Sequence, residues 1–265
     1  MDITQVLGYL AALLIGMVLG LIGGGGSILT VPVLVYIFAI NPVTATAYSL
    51  FVVGISALGG TFRNAQKKLV DFKTGFILSV PAFIGVYVTR KYVIPAIPEQ
   101  LVAPGDFSFT KDTAIMVFFA VILLLASASM IYDKKDDFDK NRKLQYNYPL
   151  LIIQGLIVGL ITGIIGAGGG FLIIPVLVIW VKLPMKKAVA TSLLIIAVKS
   201  LIGFIGDVEN LEIDWLFLIN FTAVSLIGIL LGLYISNFIH ANKLKKLFGW
   251  FLLIMGILIL YNEIQ

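Results

Sequence analysis

Cysteine is absent from this chain of 265 residues, and a single histidine, His240, is present. The first absence removes disulfides, thiolate metal sites and a cysteine nucleophile. Charge is scarce too: 12% of residues are charged, against roughly 25% in an ordinary soluble domain. Carboxylates fall only in turns or at the ends of apolar stretches, so the sequence pattern offers no mid-membrane Asp or Glu for a proton relay. Enzyme signatures are missing as well. No GxSxG, HExxH or Walker A sequence occurs, and Gly54-Ile55-Ser56-Ala57-Leu58-Gly59 misses the nucleophile elbow by one position. No catalytic residue, cofactor or metal site is expected. The net charge of +5 is better read by where the charges lie than as a nucleic-acid footprint. The opening Met1-Asp2-Ile3-Thr4-Gln5 lacks the basic region of a cleaved leader, so the first apolar stretch is expected to persist.

What the chain has is apolar surface, with 60% of its residues hydrophobic. Apolar segments lie at roughly 5–22, 28–40, 44–62, 74–94, 112–132, 148–166, 170–181, 188–206, 213–238 and 247–261. A lipid-spanning strand would alternate within about ten residues, and none of these runs does. The expected fold class is an all-α polytopic membrane protein whose partner is the lipid bilayer.

Glycine is concentrated at two places. Gly23-Gly24-Gly25-Gly26-Ser27 interrupts an apolar region far longer than the ~20 residues of one membrane helix. Gly166-Ala167-Gly168-Gly169-Gly170 does the same in the second half. The two regions align without gaps: Gly23 falls on Gly166, Gly25 on Gly168, Gly26 on Gly169, Leu29 on Leu172 and Pro32 on Pro175. Downstream, Ala47, Ser49 and Leu50 fall opposite Ala190, Ser192 and Leu193. The chain is an internal duplication with a broken helix at the matching place in each half, a pointer to a midplane binding site. Helices restarting after the glycines leave N–H groups without partners, a place for an anion. Pro32 and Pro175 are read as setting bends.

Lysine and arginine fix the topology. If each glycine-broken region counts as an out-and-back pair, fifteen of them share one side and only Arg90, Lys91 and Lys111 lie opposite. Counted as single crossings, the regions give an even split. The pair reading therefore places both termini outside the cytoplasm and makes the halves inverted repeats of about five segments. The expected division is 1–132 for the first repeat, 133–147 for a cytoplasmic linker and 148–265 for the second repeat. Whether the broken segments cross fully or re-enter is left open, as is the oligomeric state.

The candidate binding residues are Gly23, Gly24, Gly25, Gly26 and Ser27 at the first tip, and Gly166, Gly168, Gly169 and Gly170 at the second. Ser49 and Ser192, with Thr46, Tyr48 and Thr191 nearby, offer hydroxyls for an anion or for a backbone carbonyl in the preceding turn. Lys199 stands out because it is the only charge the pattern places inside the bilayer core. Such a residue costs about 2.5–3.5 kcal/mol at the centre of a lone helix, so it usually faces a functional interior. Snorkelling to the end near Gly206, or pairing with a helix C-terminus, is the competing reading. Gln154 and Asn220 read as buried interhelical amides, and the Gly16/Gly20, Gly155/Gly159 and Gly228/Gly232 spacings as close helix packing.

The duplicated Gly-x-x-Gly-x-Gly-Gly, the following Pro-Val-Leu and the later Ser-Leu pair resemble the sulfite exporter TauE/SafE family over nearly the whole chain. Its glycine motif maps onto Gly20, Gly23, Gly25, Gly26 and Pro32, and onto Gly163, Gly166, Gly168, Gly169 and Pro175. Its Ser-Leu positions map onto Ser49-Leu50 and Ser192-Leu193. Ala167 replaces one glycine of the first run, and Ser27 stands where the second copy has Gly170. The resemblance implies transport of sulfite, organosulfonates or similar small anions across a bacterial plasma membrane, usually outward. The expected mechanism is alternating access. Export of a dianion gains about 2.3 kcal/mol per charge per 100 mV of inside-negative potential, with no coupling ion. An anion channel, or a membrane scaffold without transport, is the alternative.

Overall fold

A computed structural model describes residues 3–24, 26–102, 109–132, 148–165, 170–181, 183–209, 211–239 and 241–264. The expected apolar segments become ten helices: α1 Ile3–Ile22, α2 Gly26–Pro32, α3 Pro42–Gln66, α4 Phe72–Val88, α5 Lys111–Tyr132, α6 Tyr148–Ile165, α7 Gly170–Pro175, α8 Met185–Val208, α9 Trp215–Ile235 and α10 Ala241–Ile264. Six of them carry windows long and apolar enough to cross a bilayer. A small antiparallel ribbon, Gln100–Val102 with Phe109–Thr110, is the one sheet among the described residues. The connector 133–147 lies outside those residues.

Helix starts follow local chemistry. Asn41 accepts from the Val43 N–H at 2.9 Å ahead of Pro42, and Asp71 and Asp214 cap α4 and α9 by accepting from Thr74 and Phe217. Pro32 and Pro175 each close a short α-helix that continues as one π-turn, Val33–Ile37 and Val176–Trp180. A proline supplies no N–H and crowds the carbonyl four residues back, so the wider turn is a local escape from that clash. From Gly26 to Ile37 the chain covers about 18 Å at 1.5 Å per residue, short of a ~30 Å bilayer core.

Close packing at glycine brings the helices together. α1 lies on α9, where a Cβ at Gly16 would strike the Ser225 carbonyl and one at Gly232 the Met17 carbonyl. α4 lies on α6 in the same way through Gly85, Gly155 and Gly159. α3 packs on α8, α5 on α10, and α8 and α3 also meet α4 and α9 respectively. The Asp71 N–H donates to Thr191 Oγ1 at 2.9 Å, and the Asp214 N–H to the Tyr48 hydroxyl at 2.7 Å. Those two hydroxyls therefore fasten helix starts across the halves. Thr46 bonds the Val43 carbonyl one turn back.

The perimeter is bare hydrocarbon, with Leu216, Phe238 and Leu125 among many large apolar side chains left uncovered. Lipid can cover them without cost. Asn220 corrects an expectation. It is exposed on this perimeter, because α9 buries the stripe Leu218, Phe221, Thr222, Ser225 and Ile229, and Asn220 falls off it. Gln154 is half-buried with its Oε1 unpartnered.

Candidate functional site

α3 and α8 run antiparallel through the centre of the molecule. Gly60 faces Leu193, Gly54 faces Leu201 and Gly203 faces Leu50. Lys199 falls midway along that pairing and has no exposed surface. Its Nζ donates to Thr162 Oγ1 on α6 at 2.9 Å, while the Thr162 hydroxyl donates to the Gly159 carbonyl at 3.3 Å. Among the described residues no carboxylate pairs with Lys199. An ammonium has three donors, so two remain for something else. Beside it the buried Ser200 Oγ has no partner. Complete burial rules out snorkelling.

The first glycine tip packs against α8 about two turns away. Gly23 adopts a left-handed backbone, φ +78°, which turns the chain at the end of α1. Its carbonyl accepts from Ser192 Oγ at 2.7 Å, and the same hydroxyl lies 2.8 Å from the Val189 carbonyl. Gly24 rests on Gly170, so closely that a Cβ on either would overlap the other's backbone. The first break thus meets the start of α7. Gly26 starts α2 against Ile15 and Leu19 of α1. Gly25, Gly166, Gly168 and Gly169 lie outside the described residues, and of Ser27 only the backbone, within α2, is described.

Ser49 and Ser192 are not brought together. Ser49 adjoins Leu50 at the Gly203 end of the pairing, about 16 Å along the axis from the level of Ser192 at 1.5 Å per residue. Their surroundings differ as well. Ser192 is occupied by two carbonyls, whereas the buried Ser49 Oγ has no partner.

Sequence reasoning missed two charges. Lys199 is not alone in the interior: Arg90 and Asp207 are 1% and 4% exposed. Arg90 belongs to a π-turn, Thr89–Val93, that carries α4 onward, and it packs beside Gly206 of α8. Its Nε lies 3.6 Å from Asp207 Oδ2. The signal available in the sequence was that the apolar run 74–94 encloses Arg90, obscured by Lys91 beside it and by Pro95 and Pro98 just beyond. On α8, Ser192, Ile196, Lys199, Gly203 and Asp207 recur at spacings of three and four, which places them on one stripe.

The chain matches the sulfite exporter TauE/SafE family over residues 8–259. It belongs to that family. Among its relatives, the probable membrane transporter protein YunE of Bacillus subtilis is 25% identical, covering 99% of this chain and 98% of its own. The probable membrane transporter protein MJ0441 of Methanocaldococcus jannaschii is 26% identical over 94% of both chains. YdhB of Bacillus subtilis, another probable membrane transporter protein, is 26% identical over 95% of this chain and 98% of its own. No solved structure matches. This TauE/SafE protein is therefore a multi-pass membrane protein of a transporter family and not an enzyme. Chemically, its interior offers a desolvated cation with unused donors at a helix crossing and two glycine breaks in contact nearby. Unused ammonium donors of this kind suit a small anion.

Proposed function

We propose that this TauE/SafE protein carries small sulfur oxyanions, sulfite or an organosulfonate, outward across the plasma membrane by alternating access about Lys199. The observation that carries the reading is a buried ammonium with one hydroxyl partner and, among the described residues, no carboxylate. A charge so placed is costly unless an opposite charge joins it, and a permeating anion is that charge. In this reading the described tip residues Gly23, Gly24, Gly26 and Gly170 form the barrier beside it, and Gly25, Ser27, Gly166, Gly168 and Gly169 are kept as candidate binding residues from the sequence alone. In the packed state Gly24 against Gly170 closes the path, and rocking one half on the other parts them. Ser49 and Ser192 stand at opposite ends of the path: the Ser49 hydroxyl is unpartnered, while that of Ser192 turns to the anion when the tip at Gly23 moves off it.

Several contacts support inverted repeats. Exchanging the halves carries α1 on α9 into α6 on α4, and α3 on α8 into itself. The same exchange carries the Asp71–Thr191 bond into the Asp214–Tyr48 bond. Outward direction is supported by charge. A cavity of about 60 Å³ at the lysine-rich end is lined by Lys67, Lys186, Asn64 and Asn237 and reaches Val189, which lies against Gly23. It draws anions from the side where positive loops concentrate.

Sulfite efflux from proteoliposomes under an imposed potential tests this. Saturable flux that accelerates with external sulfite exchange, and vanishes in Lys199→Met, is the expected result. Ohmic conductance without saturation would replace the carrier by a channel, and no flux at all would leave a scaffold.

A further inference from the structure

At the end of the molecule away from the lysine-rich turns lies a larger cavity of about 570 Å³, bounded by Asn41, Arg90, Glu99, Lys111, Asp112 and Asp207. Arg90 is buried in its wall, and Nε, Nη1 and Nη2 all lack a hydrogen-bond partner. Asp207 is close enough to neutralise it, but at 3.6 Å from Nε it makes no hydrogen bond, and its Oδ2 is itself unpartnered. The neighbouring pair, Lys91 with Glu209, closes to 3.1 Å although it is exposed. Buried charges are normally paired and hydrogen-bonded in full. A guanidinium beside a polar cavity with its whole donor fork unused is a half-made site.

We propose that this cavity is a second oxyanion-binding station, in which the Arg90 fork takes two oxygens of a sulfite or sulfonate group and Asp207 is the built-in competitor that displaces it. The fork geometry selects a planar pair of oxygens over a spherical ion. Three carboxylates against two cations line the cavity, which keeps the hold weak. Weak holding suits release, since a station that binds tightly stops flux. Asp207 lies two turns beyond Lys199 on the same stripe of α8, about 12 Å along the axis. The role in release rests on the transport reading above; the binding itself does not.

The test is thermal stability of the full-length protein in detergent, titrated with sulfite, methanesulfonate or chloride at constant ionic strength. Asp207→Asn removes the competitor, so half-saturating sulfite should fall about tenfold relative to wild type, the worth of one charge-assisted contact. Arg90→Gln combined with Asp207→Asn removes the pair together and should lose that response. Arg90→Lys keeps the charge, loses the fork and should weaken sulfite about tenfold while leaving chloride unchanged. It decides the matter should Asp207→Asn fail to fold. Repeating the titration with Lys199→Met separates the two sites: a surviving Asp207→Asn effect supports the Arg90 station whatever becomes of the central one. Equal sulfite midpoints in wild type, Asp207→Asn and the double variant, or an equal response to chloride, would overturn the proposal.

Discussion

Replacing Lys199 by methionine should make the protein more stable and useless. Methionine keeps most of the side-chain length and removes the charge. The loss is one hydrogen bond, Nζ to Thr162 Oγ1 at 2.9 Å, worth about 1.5–3 kcal/mol for a charged donor. The gain is relief from holding an unpaired ammonium in the interior, about 2.5–3.5 kcal/mol on insertion scales and more where no water reaches. Thr162 is not stranded by the change, because its hydroxyl already donates to the Gly159 carbonyl. The balance favours the variant by about 1 kcal/mol, or roughly 2–4 °C in melting temperature for a chain of this size. Unfolding from detergent is rarely reversible, so the comparison is of apparent midpoints at one scan rate.

The assay pairs that midpoint with sulfite efflux from proteoliposomes. A purely structural lysine, fastening α8 to α6, would show the reverse: a midpoint several degrees lower with efflux reduced only in step with folded protein. A lower midpoint with transport retained refutes the assignment of Lys199 to the site. A higher midpoint with transport abolished is the signature of a group kept at a cost to the fold.

Other expectations follow from the same contacts. Gly24→Ala places a methyl against the Gly170 backbone, and should cost about 1–3 kcal/mol by overpacking and suppress efflux; a wild-type midpoint would show that the tips can part freely. Ser192→Ala removes the hydroxyl that reaches the Gly23 carbonyl and should cost about 1 kcal/mol. Ser49→Ala removes an unpartnered hydroxyl, so stability should hold while efflux falls, and a fall in stability would reveal a hidden structural role. Asp214→Ala deletes the α9 cap, and about 0.5–2 kcal/mol of local protection should disappear from the first turn of α9 in hydrogen exchange.

Much of the architecture was legible because membrane helices are written in run length and punctuation. Ten apolar runs, two glycine breaks and a lysine bias were enough to draw the helices, and the contact of Gly24 with Gly170 follows from two matching breaks. The site was only partly legible. Ser49 and Ser192 look equivalent as repeat mates, yet the antiparallel pairing of α3 and α8 carries them to opposite ends. Asp207 read as a turn residue and Arg90 as a charge on the outer side, since each sits near where an apolar run is ending. Their burial is decided by α4 continuing through a π-turn against Gly206 of α8, which no single stretch announces. Thr162 could not be found as the partner of Lys199 because α6 and α8 meet only in three dimensions.

The two cavities give the proposed duplication a directional meaning. Under the alignment that sets Gly23 on Gly166, Asp207 corresponds to Asn64, Arg90 to Leu233 and Val43 to Lys186. All six residues line one cavity or the other. Corresponding positions of the two halves thus contribute to both mouths, which differ in size and in chemistry. At the lysine-rich mouth the buried ion pair is replaced by a neutral amide and a leucine, and a lysine stands where the other mouth has valine. An anion meets net positive charge there, then Lys199, then a guanidinium already shared with a carboxylate. In the proposed inverted repeat the two mouths are mates, and the three differences named distinguish the one that gathers from the one that lets go. Exchanging the charges, with Asp207→Asn and Arg90→Leu at one mouth and Asn64→Asp and Leu233→Arg at the other, should lower the efflux-to-influx ratio measured under equal and opposite potentials. A ratio unchanged in a folded variant would show that direction is set by the gradient alone.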